Sequence, residues 1–435
     1  MKFVLKELRS TSGEDAFIRL AHLAVKESHF AFFVDGLEKF DLALGADRLI
    51  SVAETSGAFE KLAAFQKQSE KRIAGYLGYD LKNDLELLQS ENPSALDFPE
   101  AIFFEPIAWV KYREGSVQIE TDSAEMLHQI ENALQTGNSE IRINWNFAHD
   151  IQPETSREAY LDYATKFRDH LNRGDIYEAN YCIQFSGDIQ GFNPIQQFLN
   201  LQAKTEAPFS VFAGFQGQFI LSASPERYLK NDNGHLISQP IKGTKKRSED
   251  PELDEIYKEQ LRQDLKEQSE NVMIVDLVRN DLSRVAERGS VTVPELFGAQ
   301  TFKTVHHLVS TVSAKLNRKK YDQWDAIKAS FPMGSMTGAP KISAMKLIDR
   351  YEGFKRSAYS GAFGWMEPNG DFDFNVMIRT IYYNETLSRV SFAVGSALTI
   401  KADPESEYEE CMLKAKALIE SLESAKISNG LITEV

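Results

Sequence analysis

The chain has 435 residues, 42% of them hydrophobic and 26% charged, which supplies a large core and excludes a disordered, fibrous or membrane-spanning chain. Its 49 basic against 64 acidic residues leave a net charge of −15, which argues against nucleic acid or an anionic membrane as partner and requires local positive charge or a metal for any anionic substrate. Only Cys182 and Cys411 occur, too few for a disulfide framework and without zinc-site spacing, which points to a reducing, cytoplasmic setting.

The opening MKFVLKELRS is broken by Lys6 and Glu7 and does not read as a signal peptide. Short apolar runs, HFAFFVD and AIFFEPIAWV, predict strands, and a helical pattern follows near 123–135. The turn-rich stretch QTGNSEIRINWNFAHDIQPETSR then precedes a helix starting near Ser156. A soft boundary there separates an amino-terminal portion, 1–150, from a carboxy-terminal portion, 151–435, the two forming one compact unit. Asn-Gly in NDNGH, between FILSASPERYLK and LISQPIKGT, predicts a hairpin. Centring its loop on Gly234 sets Glu226 directly opposite Lys242.

From Asp254 to about Arg284 the pattern reads as one helix, with Glu267 and Glu270 on a shared face. FPMGSMTGAPKISAMKLID reads as a small-residue loop, Gly334 to Pro340, opening a helix with apolar Ile342, Met345, Leu347 and Ile348. Free N–H groups at such a start suit an anion, with Ser335, Thr337 and Lys341 to assist. A second hairpin runs GDFDFNVMIRTIYY, NET, LSRVSFAVG, and Arg379 falls on the more polar face of its first arm. The last helix begins at Asp403-Pro404, with Tyr408, Cys411, Met412, Ala415, Leu418, Ile419 and Leu422 as its apolar stripe and Glu407 and Glu410 flanking it.

Two readings stay open for the acid pairs: solvated helix surface, or a magnesium site in which each helix gives a hard carboxylate oxygen and an anionic substrate completes the shell. Lys242 in PIKGT has apolar neighbours, which reduce an amine's proton affinity and suit a nucleophile or base exchanging protons with Glu226. A structural salt bridge explains that pair equally well. His307 and Cys182, taken alone, read as structural.

The ordered segments SPERYL, QPIKGTKKR, EQSENVMIVDLVRNDLSR, HHLVS, FPMGSMTGAPKISAM, YSGAFGW, FNVMIRT and ESEYEECMLKAKAL resemble the chorismate-utilising enzymes related to anthranilate synthase component I. The resemblance is strong over about 160–425, and GYLGYDLKNDLE extends it to the amino-terminal portion. It implies an α/β fold of the α+β type, with two large sheets packed face to face and helices outside, and a magnesium-dependent enzyme acting on chorismate. By position, Glu270 and Glu410 match metal-ligating glutamates, while Glu267 and Glu407 match second, water-linked ones. Tyr359 and Arg379 match residues that hold a substrate carboxylate, Ser335 a hydroxyl near it, and His307 the histidine beside the ring hydroxyl. Thr337, Gly395 and Lys414 complete the implied substrate-binding set.

Lys242 divides that family. Anthranilate synthases are expected to carry PIAGT, whereas the aminodeoxychorismate branch carries PIKGT, as here. The resemblance then implies that Lys242 attacks chorismate C2 while Glu226 protonates the departing C4 hydroxyl. Ammonia from a separate glutaminase subunit next enters at C4 and expels the lysine, giving 4-amino-4-deoxychorismate for 4-aminobenzoate and folate synthesis. The alternatives are the anthranilate branch and, more remotely, a non-catalytic chorismate-binding regulatory subunit. Two departures stand out: GSALTI adds Ser396 and Ala397 where the family has Gly-Ala-Gly, and GDIYEAN places Glu178 where glutamine is common.

Overall fold

The computed structural model describes residues 4–9, 12–136 and 151–423. Most of the expected boundary stretch, 137–150, lies outside them. Twenty strands join in one hydrogen-bonded network whose described pairings are all antiparallel, with helices packed against it. The expected two sheets are thus joined to each other. The strand Ala101–Arg113 shows how: its first half pairs with Ile73–Leu77 and its second half with Ser116–Thr121. Pro106, which has no N–H to give a ladder, lies between the two halves, beside a register shift in the neighbouring strand Lys39–Val52.

Strand alternation feeds two apolar cores. On His29–Val34, Phe30, Phe32 and Val34 enter one and Ala31 the other. This strand pairs along its length with Phe209–Phe215, so residues from both sides of 137–150 share one sheet and both cores. Among the described residues no helix is long and apolar enough to cross a membrane.

Local signals locate several elements as expected. Ser156 caps the helix Arg157–Arg173 by accepting from Ala159 N, and Asp403 accepts from Ser406 N at the start of Pro404–Glu423. On that last helix Cys411, Ala415, Leu418 and Leu422 are core, and Tyr408, Met412 and Ile419 pack against it.

Four expectations need correction. The single helix from Asp254 is two, Pro251–Gln263 and Leu265–Ser283, because Asp264 is extended and its carboxylate caps the second by accepting from Lys266 N and Glu267 N. In the NDNG hairpin both Asn233 and Gly234 have positive φ, a two-residue turn that pairs Asp232 with His235 and is followed by a register shift. Pro240 then ends the His235–Gln239 strand, and Lys242 belongs to a separate strand, Ile241–Lys246, paired with Val305–Lys315. Glu226 and Lys242 are therefore not cross-strand partners.

The arm carrying Arg379 is likewise two strands, Phe372–Val376 and Thr380–Asn384, which pair with different neighbours. Arg379, at φ +51°, turns the chain between them. Finally, Ile342 is 42% exposed, while Met345, Leu347 and Ile348 are buried.

Candidate active site

The Lys242 side chain is 11% exposed, and its Nζ lies 2.5 Å from Glu178 Oε1. Glu178 sits in the strand Glu178–Asp188, held on one side by pairing with Thr399 and on the other by pairing with Ala339. The second strand contact requires Gly338, where a Cβ would stand 2.1 Å from the Glu178 carbonyl oxygen. Burial alone would weaken the lysine's hold on its proton, but Glu178, Glu270 and Glu226 outweigh it and raise the pKa above the ordinary value. This reverses the expectation drawn from the apolar neighbours in PIKGT. The resting group is an ammonium.

Glu226 is buried just before the strand Arg227–Asp232 and is faced by Ser335, Lys242, the Ile241 N–H and Arg379. Burial exceeds their combined pull and lifts its pKa to about 7, so near neutrality it carries a proton about half the time. The buried Ser335 hydroxyl makes no hydrogen bond of ordinary geometry with the protein. The Thr337 hydroxyl is engaged by Met333 O at 3.2 Å and Gly334 O at 3.3 Å, which makes it part of the loop's own scaffold. Lys341 is likewise committed, to Asp281 Oδ2 at 2.6 Å and Ser330 O at 3.0 Å.

His307 lies against Arg379, whose Nη2 is 3.0 Å from its Nε2. Its Nδ1 is 2.9 Å from Thr244 Oγ1 and 3.2 Å from the Gly243 carbonyl. Arginine only donates and a carbonyl only accepts, so the ring carries its proton on Nδ1 and receives Arg379 at Nε2. Burial and the Arg379 charge push its pKa down to about 3, leaving a neutral imidazole.

The acid pairs face each other across two helices. Lys266 Nζ is 4.0 Å from Glu270 Oε1 on its own helix and 3.7 Å from Glu407 Oε1 on the last one. Burial is the first cause that raises Glu267 to about 7 and raises Glu270 and Glu407 as well; repulsion by Glu270 adds to it at Glu267, repulsion by Glu410 at Glu407, and repulsion by Glu178 at Glu270 against the pull of Lys242. Glu410 moves the other way: desolvation acts upward, but the Lys414 ammonium at 2.7 Å holds it below its usual value. Among the described residues no three His, Cys, Asp or Glu side chains form a ready-made cation cage. The donor set still fits magnesium, which takes hard carboxylate oxygens, often one or two from protein, and keeps water and substrate for the rest.

The other expected binding residues gather further along the same strand. Gly395 pairs with Cys182, and a Cβ on Gly395 would meet Cys182 Sγ at 2.6 Å. The Tyr359 hydroxyl lies 3.6 Å from that sulfur. Lys414 donates to the Gly395 carbonyl at 2.8 Å. Glu178 and Cys182 share a face about 13 Å apart along the strand, so the two groups are separate poles of one surface. Ser396 points to the other side of its strand, its Oγ 3.1 Å from the Tyr160 hydroxyl, and there it also faces the Glu407 carboxyl of the last helix.

The pattern of the chorismate binding enzyme family matches residues 22–420. The chain belongs to that family. Over 266 residues it is 40% identical to aminodeoxychorismate synthase component 1 of Salmonella typhimurium, covering 60% of this chain and 58% of that protein. Over 371 residues it is 32% identical to anthranilate synthase component 1 of Thermus thermophilus, covering 81% and 78%. The crystal structure of anthranilate synthase component I from Streptococcus pneumoniae superposes with a TM-score of 0.74 at 24% identity, over 96% of this chain and 93% of that one. The chorismate binding enzyme family thus includes relatives named for different reactions, and the fold alone does not choose among them.

Sequence reasoning missed the Lys242 counter-charge. It treated Glu178 only as a departure from a family pattern. The available signal was charge accounting: a lysine placed among apolar residues needs a carboxylate, and Glu178 stands in the otherwise uncharged strand run EANYCIQF. Lys266, which bridges the acid pairs, was missed as well: its i,i+4 spacing to Glu270 was a signal, but its contact with Glu407 had none.

Proposed function

We propose that this chain is the chorismate-aminating component of an aminodeoxychorismate synthase, the activity named for its Salmonella relative. The observation that carries this reading is the buried lysine of PIKGT with a half-protonated carboxyl, Glu226, acting on it. An amine nucleophile and a proton donor are what a two-step displacement of a ring hydroxyl requires.

In this reading Lys242 attacks C2 of chorismate as the C4 oxygen leaves as water, taking its proton from Glu226. Ammonia then bonds to C4, and the lysine nitrogen departs from C2. Arg379 offers a carboxylate its guanidinium fork, and neutral His307 fixes that fork from behind through Nε2. Magnesium held by Glu270 and Glu410, with Glu267 and Glu407 behind them, supplies the positive charge a dianionic substrate needs in so acidic a chain. The ammonia comes from a separate glutaminase subunit; the two cysteines, both free and buried, have thiol pKa values raised by burial, the wrong setting for a thiolate nucleophile. A cytoplasmic site of action belongs to the same reading.

Purified protein incubated with chorismate, magnesium and ammonium is expected to yield 4-amino-4-deoxychorismate by mass spectrometry, with no release of pyruvate. Anthranilate plus pyruvate overturns the assignment in favour of the anthranilate branch. Unconsumed chorismate favours a non-catalytic binding subunit.

A further inference from the structure

The proposed reaction needs Lys242 as a free amine, and in the resting structure its nitrogen sits in an ion pair. Glu178 is the carboxylate in contact with that nitrogen, at 2.5 Å. Its side chain is 1% exposed, and its second oxygen, Oε2, is buried with no hydrogen-bond partner. That oxygen leaves an acceptor position of the carboxylate unused beside the amine. Glu226 and Glu270 also act on the amine, but through charge rather than a hydrogen bond: Glu226 faces Ser335 and Arg379 as well, and Glu270 faces Glu178, Lys266 and Glu410.

We infer that Glu178 is the base for Lys242, taking one ammonium proton when chorismate enters and returning it when the lysine is released. This rests on the covalent reading above. In the first transfer an N–H bond of Lys242 breaks, its electron pair stays on nitrogen, and an O–H bond forms on Glu178. The ion pair becomes a neutral amine beside a neutral carboxylic acid. After attack on C2 the lysine nitrogen is a secondary ammonium. When ammonia bonds to C4, the C2–N pair returns to that nitrogen, Lys242 leaves as a neutral amine, and the Glu178 proton restores the resting ion pair. A glutamine at 178 would accept a hydrogen bond from Lys242 but could not take its proton.

The test follows the adduct on the Lys242-containing peptide by mass spectrometry after mixing with chorismate and magnesium without ammonia. In Glu178→Gln the adduct is expected to form about 100-fold more slowly at neutral pH, the scale of a lost proton acceptor, with chorismate affinity little changed. The ratio of its rate to the wild-type rate should climb with pH as solvent base replaces Glu178, because the Glu226 limb is common to both chains and Glu226 and Glu270 remain as the other carboxylates around the amine. Glu178→Asp, which keeps the charge one methylene further back, should recover part of the rate and serves if the glutamine variant does not fold. Wild-type adduct rates in Glu178→Gln overturn the inference while leaving the covalent reading intact. So does a parallel fall in rate and affinity with a variant-to-wild-type ratio that does not change with pH, which marks a packing role. No adduct in the wild-type chain overturns the covalent reading itself.

Discussion

The Lys242–Glu178 pair and the Arg356–Glu352 pair are both buried, and both engage the strand Glu178–Asp188, yet they are built differently. Arg356 meets Glu352 through Nε at 2.8 Å and Nη2 at 2.5 Å, and donates further to Met336 O at 2.7 Å and Asn180 O at 2.8 Å. Glu352 also accepts the Cys182 N–H at 2.9 Å, and the guanidinium stacks 4.5 Å from the Tyr79 ring. That pair is saturated and ties a loop, a helix and a strand together. The Lys242 pair has a single close contact and an orphaned oxygen. Saturation marks scaffold, and a deliberately incomplete shell marks a group free to exchange a proton or a partner.

The comparison sharpens most at Lys242 itself. Lys242→Ala should lower ammonium-dependent turnover by about 10⁴-fold or more, the scale of removing a nucleophile, and Lys242→Arg should do no better because a guanidinium stays protonated. Near wild-type amination by the arginine variant, measured by product formation, would reduce Lys242 to a charge.

Stability should separate the two pairs next. Replacing the saturated pair, Arg356→Met with Glu352→Gln, strands the Met336 and Asn180 carbonyls and is expected to cost about 3–5 kcal/mol in denaturant unfolding. Replacing the incomplete pair, Lys242→Met with Glu178→Gln, should leave stability unchanged or raise it by about 1–4 kcal/mol while abolishing turnover. Equal losses in both double variants would break the comparison.

Proton bookkeeping gives a smaller effect. Glu226 donates only when protonated, so turnover should fall as pH rises through about 7, and Glu226→Gln should erase that limb and cost about 10²–10³-fold in rate. The sign for stability is the same. Because Glu226 and Glu267 are raised from 4.5 to about 7 in the folded chain, their contribution is fully present below about pH 4.5 and is lost as pH rises through about 7. In chelator the thermal midpoint should therefore fall between these values. Saturating magnesium should offset the fall by about 2–3 kcal/mol, and not in Glu270→Gln or Glu410→Gln.

The smallest effect is expected at Ser396, whose hydroxyl meets Tyr160 and only supports Glu407 from the helix side of its strand. Ser396→Ala should cost about 1 kcal/mol of stability and leave turnover within about twofold of wild type, as read by unfolding and steady-state kinetics.

Legibility followed the range of each interaction. The helix starts at Ser156 and Asp403 were readable because a cap is decided within three residues, and the stripe Cys411, Ala415, Leu418 and Leu422 because a helix repeats every 3.6. The break at Asp264 was missed although its cause is local, since the same acidic residue also tolerates a helix interior and the apolar pattern ran through it. At the site, the sequence named Lys242, Glu226, Arg379 and His307 but mispaired the first two, because a bulge and Pro240 redirect the hairpin.

By itself the sequence determined the strand and helix types, the acid pairs on their helices and the motif set that identifies the family, all properties of neighbours along the chain. Tertiary structure alone decided that Lys242 meets Glu178, 64 residues away, that Lys266 stands between the acid pairs, and that Arg379 turns into His307. Those contacts depend on where separate backbones are carried by sheet register and a positive-φ turn, and a register displaced by one residue would send each side chain to the opposite face.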